Sequence, residues 1–252
     1  MCWSYEISAA TSTLEAGLLL LIATRALRSS EPRFRQQLAL VPLLSSILLV
    51  EVIEGALWRN ENFLRAIQEA DEEGSTCPKR NELLTLAIWM TIWCQPYAVI
   101  FAARKSGSPT NNEALQISQY LSVLFATVAV GMYLHSAQSA VSPTVPRLGE
   151  SQFRSYRNRE TCTYIGLHGH LHWTVAMTET ILTPNAFAYA MLFLSTIFAR
   201  PKHVVAVPSL IMMLIFVLQS IWFEGTFEAG SMWCFAAIVV FVYYALQPGG
   251  VV

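Results

Sequence analysis

Charge is what this sequence has least of. Only 13% of its 252 residues are Asp, Glu, Lys or Arg, whereas 54% are hydrophobic and the mean hydropathy is +0.44. Ordinary soluble domains carry roughly a quarter charged residues, so the composition points away from water and toward lipid. Several motifs are missing as well. There is no His-Glu-x-x-His, no glycine-rich phosphate loop and no nucleophile elbow, which removes the best-marked metalloprotease, nucleotide-binding and hydrolase readings. Internal repeats and low-complexity tails are also lacking. The last apolar segment, Glu228 to Leu246, contains no lysine, which disfavours a retinal Schiff base there. With a formal net charge of −1, no nucleic-acid partner is expected.

What the sequence does have is apolar runs of about the ~20 residues that a helix needs to cross a bilayer. They lie near 5–27, 36–58, 83–103, 115–136, 174–199, 204–223 and 228–246. Helices are expected because an isolated strand leaves its backbone unsatisfied in lipid. The expectation is therefore an all-α integral membrane protein, a single domain over 1–252 built as a seven-transmembrane-helix bundle. The short loops carry Arg25, Arg28, Arg33, Arg35, Arg104, Lys105, Arg200 and Lys202. All follow odd-numbered spans, so the positive-inside rule puts the N-terminus outside and the C-terminus inside. Trp3, Trp58, Trp173, Trp222 and Trp233 then fall near the outer boundary, as an aromatic belt would. The start, Met1-Cys2-Trp3-Ser4-Tyr5-Glu6, has no basic n-region, so the first run reads as a helix rather than a cleaved signal.

This topology sorts the five cysteines. Cys94 falls in mid-span, whereas Cys77 and Cys162 lie in the two long outer loops, where an oxidising compartment would join them in a disulfide. Cys2 with Cys234 is a weaker pair, since either could pack as a small apolar side chain.

Ionisable groups inside the spans carry the most information, since a charge in hydrocarbon costs at least ~2.5 kcal/mol and is functional or paired by default. Glu51 and Glu54, three residues apart, share a face of the second span. Glu15, near the centre of the first, reads as a proton carrier or as a neutral acid. His135 ends the fourth span, Glu224 and Glu228 flank the last outer turn, and the second long loop ends in His168, His170 and His172. Histidines at i, i+2 and i+4 face one way on a strand, while on a helix only the first and last align. Together with carboxylates they could hold zinc or another divalent transition metal, with three protein ligands and a water. The blander reading is a re-entrant or interfacial loop around Gly166 and Gly169, with imidazoles hydrogen-bonded to Glu54, Glu224 or Glu228. Gln95-Pro96 and Thr183-Pro184-Asn185 interrupt two spans, as structural kinks or as the broken helices of a transporter.

The opening Met1-Cys2-Trp3-Ser4, the acid late in span two, Gln95-Pro96, the loop cysteines, His170 to Trp173 and the stretch Glu228 to Cys234 together resemble an uncharacterised family of polytopic membrane proteins. That resemblance implies a shared outer-side constellation and supplies no reaction. The chain departs from it in its third histidine and in the acidic run Glu69-Ala70-Asp71-Glu72-Glu73. A fainter likeness is to alkaline-ceramidase-type membrane hydrolases, which combine seven helices with a His and acid zinc site. The aspartate expected for that site is absent from the spans.

The expected site opens outward and comprises Glu51, Glu54, His135, His168, His170, His172 and Glu228, with Glu51 and Glu54 as the catalytic carboxylates and the others as metal ligands. At least two of the three loop histidines are expected to point toward Glu51 or Glu54. The leading function is a metal-dependent membrane enzyme acting on a lipid or other amphiphile, in which a metal-activated water meets a carboxylate base. Nearly equal is a structural or accessory subunit among partner membrane subunits, and third is a proton-coupled transporter or channel. The host is the plasma membrane or an organellar membrane, with the histidines on the non-cytosolic side.

Overall fold

A computed structural model describes residues 4–31, 34, 37–59, 77–105, 112–138, 161–165, 171–175, 186–198, 209–210, 213–214 and 233–246. Six helices and one hairpin lie within them. Helix α1 spans Tyr5–Arg28, α2 Val41–Trp58, α3 Lys79–Lys105, α4 Asn112–Gln138, α5 Ala186–Leu194 and α6 Trp233–Leu246. A 3-10 turn, Leu38–Leu40, leads into α2, and another, Ser195–Phe198, follows α5. Strands β1, Cys162–Ile165, and β2, Leu171–Thr174, pair antiparallel.

Among the described residues four helices are long and apolar enough to cross a membrane: Tyr5–Arg28, Leu38–Trp58, Lys79–Lys105 and Asn112–His135. They coincide with the first four expected spans, and α3 and α4 run a turn further at their N-termini than hydropathy suggests. The fifth expected span, 174–199, begins differently. Thr174 closes β2, and helix is described only from Ala186. Of the sixth, 204–223, only the helical pairs 209–210 and 213–214 are described, and of the seventh, residues from 233 onward.

Local chemistry explains the ends. Ser4 caps α1 by accepting from the Ile7 N–H at 3.4 Å, with Glu6 in the first turn and Arg25 and Arg28 in the last, the charge order that suits the helix dipole. Proline near the start of α2 costs no hydrogen bond. Pro96 lies inside α3 and has no N–H to offer the Ile92 carbonyl.

The core falls into two clusters along the bundle. One gathers Ile22, Leu40, Leu43, Leu44, Ala102, Ala103, Phe193, Phe241 and Tyr244. Here the C-terminal turns of α1, α3 and α6 meet the start of α2. We call this the basic end. Arg25 donates to the Ala245 carbonyl at 3.3 Å and lies 4.3 Å over the Phe34 ring, and Arg104 donates to Gln119. The second cluster, at the hairpin end, joins Val50, Ile53, Leu57, Trp58 and Ile88 to Leu171 of the hairpin. Large apolar side chains on the outside, such as Leu20, Leu27, Ile117 and Tyr120, are over half exposed, as a lipid-facing surface requires.

The hairpin is anchored to α3. Cys77 and Cys162 form a disulfide with Cα atoms 5.8 Å apart, as expected for the two loop thiols. Asn81 then reads the backbone of Thr163 in both directions. Its Oδ1 accepts from the Thr163 N–H at 2.8 Å, and its Nδ2 donates to the Thr163 carbonyl at 2.9 Å. The hydroxyls of Thr85 and Thr163 meet at 2.6 Å. Thr163 pairs across the sheet with Trp173, so its outward backbone groups would be orphaned without this amide.

Candidate functional site

One of the acids that hydropathy isolates, Glu51, meets α1 where it crosses α2. The buried stripe of α1 reads Ser8, Glu15, Ile22 and Ala26, steps of seven, seven and four that keep one face inward, with Thr11 beside it. On α2, Glu51, Glu54 and Gly55 are buried. The two stripes touch at two points. Thr11 Oγ1 donates to Glu51 Oε1, and a Cβ placed on Gly55 would sit 3.6 Å from that of Ser8. The helices are close at this point, and a Cβ there would make an ordinary van der Waals contact.

The site is deep. Glu51 lies seven residues inside the end of α2 at Trp58, about 10 Å at the ~1.5 Å rise of a helix, and Glu54 about 6 Å. Side chains of Glu15 and Glu54 have no exposed surface and that of Glu51 has 1%. Val50, Ile53 and Leu57 of the same part of α2 pack with Ile88 and Leu171. Glu54, one turn from both Val50 and Leu57, borders that apolar face, while Glu51 meets α1.

Hydrogen-bond accounting is incomplete at this crossing. Thr11 has one hydroxyl proton and three acceptors in reach, the Ile7 carbonyl at 3.0 Å, the Ser8 carbonyl at 3.1 Å and Glu51. Glu51 Oε2 and Ser8 Oγ are buried and meet no hydrogen-bond partner among the described residues. Leaving such groups unanswered costs of the order of 1–3 kcal/mol each, and more for a charge.

Of the other expected residues, His135 and the backbone of His172 are described. His135 is exposed near the end of α4. His172 is in β2, paired in register with Tyr164, and its side chain lies outside the described residues. His168, His170, Glu224 and Glu228 also lie outside them, so the placement of the histidines toward Glu51 and Glu54 falls there too. Among the described residues no three His, Cys, Asp or Glu side chains converge as metal ligands. Thr183-Pro184-Asn185, Cys2 and the side chain of Cys234 are likewise outside. Cys94 is a free thiol on the outer surface of α3.

A second polar contact sits beside Pro96. Gln95, 1% exposed, accepts from the Tyr189 hydroxyl of α5 at 2.5 Å, and its Nε2 has no partner among the described residues. Trp93 meets Tyr189 edge-on at 6.1 Å and stacks with Phe125 at 6.5 Å, and Tyr189 lies 4.8 Å from Phe193. Gln95 fastens the proline-interrupted helix to α5 inside an aromatic wall.

Sequence reasoning singles out Glu15, Glu51 and Glu54 but misses Ser8 and Thr11. The spacing of 8, 11 and 15 puts hydroxyls and acid on one face of an otherwise apolar span, but spacing alone does not show that a hydroxyl reaches a second helix. Comparison of the chain with protein-family models, with curated proteins and with solved structures returns no match.

Proposed function

We propose that this chain is an ion-coupled membrane transporter or channel whose working site is the carboxylate seam between α1 and α2. The observation that carries the reading is Glu51, buried at bilayer depth with one oxygen engaged by Thr11 and the other unanswered among the described residues. A structural carboxylate in hydrocarbon is stable when fully paired. One left half-answered is suited to taking up and releasing a positive charge.

The proposed architecture has seven spans, with the N-terminus and the hairpin outside. Element directions support it. α5 leads from Tyr189, level with Gln95, to Phe193 in the basic-end core, and α6 runs toward the same end, where its Ala245 carbonyl meets Arg25. A chain that descends twice in succession must return between the two, and Met213, packed in that core, lies on the intervening segment. The disulfide suits an oxidising outer compartment, and the arginines of the opposite end suit the cytosolic side.

A second reading, the metal-dependent membrane enzyme acting on a lipid or amphiphile, is favoured by the hairpin register. Leu171 packs in one cluster with Ile53 and Val50, so β2, whose backbone includes His172, begins near the end of α2. The accessory-subunit reading has no observation of its own in the described residues.

Reconstitution tests the first reading. Proteoliposomes loaded with a pH-sensitive dye are expected to dissipate an imposed pH or ion gradient with the wild-type chain and not with Glu51→Gln. Equal fluxes for both would remove the seam from any transport path, and stoichiometric zinc in the purified protein would favour the enzyme.

A further inference from the structure

We propose that the crossing of α1 and α2 is a binding site for a monovalent hard cation, sodium by chemistry, held by Glu51, Thr11 and Ser8. The inference rests on the transport reading above and names the ion. Its first support is the donor set. The polar atoms that α1 and α2 bring to their contact include a carboxylate of Glu51 and the hydroxyls of Thr11 and Ser8, all oxygen. Hard alkali and alkaline-earth ions take such sets, whereas zinc and its neighbours select imidazole and thiolate. Its second support is that two of these atoms, Glu51 Oε2 and Ser8 Oγ, are buried without a hydrogen-bond partner among the described residues.

Helix geometry brings the donors together. Ser8 and Thr11 are one turn apart on α1, and Glu51 and Gly55 are one turn apart on α2. Thr11 touches Glu51 while Ser8 faces Gly55, so the two contacts form successive rungs of one crossing. Ser8 Cβ is the atom nearest the open side of Gly55, 3.6 Å from where a Cβ would stand. Thr11 can direct its one proton to the Ile7 or Ser8 carbonyl, at 3.0 and 3.1 Å, leaving oxygen lone pairs for a cation.

Charge decides between one and two positive charges. Among the described residues no three acidic, histidine or cysteine side chains converge, and Glu51 is the carboxylate that Thr11 touches. One carboxylate neutralises one charge, and a divalent ion here would leave a net positive charge in hydrocarbon, where such a charge is costly. A proton is the alternative occupant, but it answers a single carboxyl oxygen and leaves Ser8 Oγ unserved. A cation between the rungs serves both.

The test uses the full chain in lipid nanodiscs. Thermal unfolding is followed while sodium chloride replaces choline chloride at constant ionic strength. The melting temperature is expected to rise with sodium and saturate, and not to rise with choline. Thr11→Val and Ser8→Ala, which keep side-chain bulk within a methyl group or less, are expected to raise the apparent sodium dissociation constant roughly tenfold or more, the scale of one lost ligand contact. Glu51→Gln is expected to abolish the rise, and if that variant does not fold, the two hydroxyl variants decide the matter. No sodium-dependent shift in the wild type, or equal shifts in wild type, Thr11→Val and Ser8→Ala, overturns the cation site. Gradient dissipation that needs Glu51 but is indifferent to sodium overturns it too while leaving the transport reading standing. Loss of both sodium binding and Glu51-dependent flux removes the two together.

Discussion

At the scale of single residues, Gly55 and its neighbours show how little space the seam has. An alanine Cβ there would rest 3.6 Å from that of Ser8, an ordinary contact. Alanine is also the better helix former by up to ~1 kcal/mol. Gly55→Ala is therefore expected to leave the melting temperature in detergent unchanged or raised. Gly55→Leu has to push α1 aside and is expected to cost ~1–3 kcal/mol, the usual penalty of overpacking. A leucine variant as stable as the wild type would mean that the crossing is loose. The acids beside this glycine were legible in the sequence because charge is rare in apolar runs. Ser8 and Thr11 were not, because a hydroxyl in a membrane helix can bond its own preceding turn, as Thr13 does to the Ala9 carbonyl at 2.6 Å. Only the partner helix tells such a residue from one that crosses over.

At the scale of elements, the hairpin is the part that hydropathy hides. Its strands have four residues each and sit where the sequence reads as loop followed by the start of a span. The threonines, tyrosine and tryptophan flanking Gly166 and Gly169 are strand formers around turn residues. The histidine spacing drew attention away from that pattern. Two anchors hold the element, and they should separate experimentally. Removing the disulfide through Cys77→Ser with Cys162→Ser opens a link across 85 residues. Chain entropy puts that at ~4–5 kcal/mol for a soluble chain, and less here because inserted helices already restrict the unfolded ensemble. Asn81→Ala instead strands a buried N–H and carbonyl of Thr163, at ~1–3 kcal/mol each. Hydrogen exchange read by mass spectrometry is expected to speed up over 162–174 in both variants, with α1 and α2 unchanged. Exchange that rises along α2 as well would mean that the hairpin braces the carboxylate seam directly.

At the scale of the whole molecule, the first four spans were readable because length and apolar content alone specify a crossing helix. The packing order was not. It depends on contacts between helices far apart in sequence, such as α1 against α6, tied by Arg25 and the Ala245 carbonyl. Arg25 reads in sequence as a topology signal, yet it also caps the last helix. Single cysteines at positions 30 and 170 are expected to react with an impermeant reagent from opposite sides of sealed vesicles. Labelling of both from one side would break the seven-span arrangement.

The disulfide also orders events in time. Cys77 precedes α3 and Cys162 opens β1, so α3 and α4 both lie between the two sulfurs. During synthesis the second thiol leaves the ribosome only after four apolar helices have been made. Oxidation therefore acts on helices already committed to the bilayer and records their arrangement instead of directing it. A cell that makes this protein without a working oxidant should accumulate a chain that is correctly inserted yet unsealed, distinguishable from the mature form by two additional alkylatable thiols, Cys77 and Cys162, and by its hairpin's sensitivity to protease.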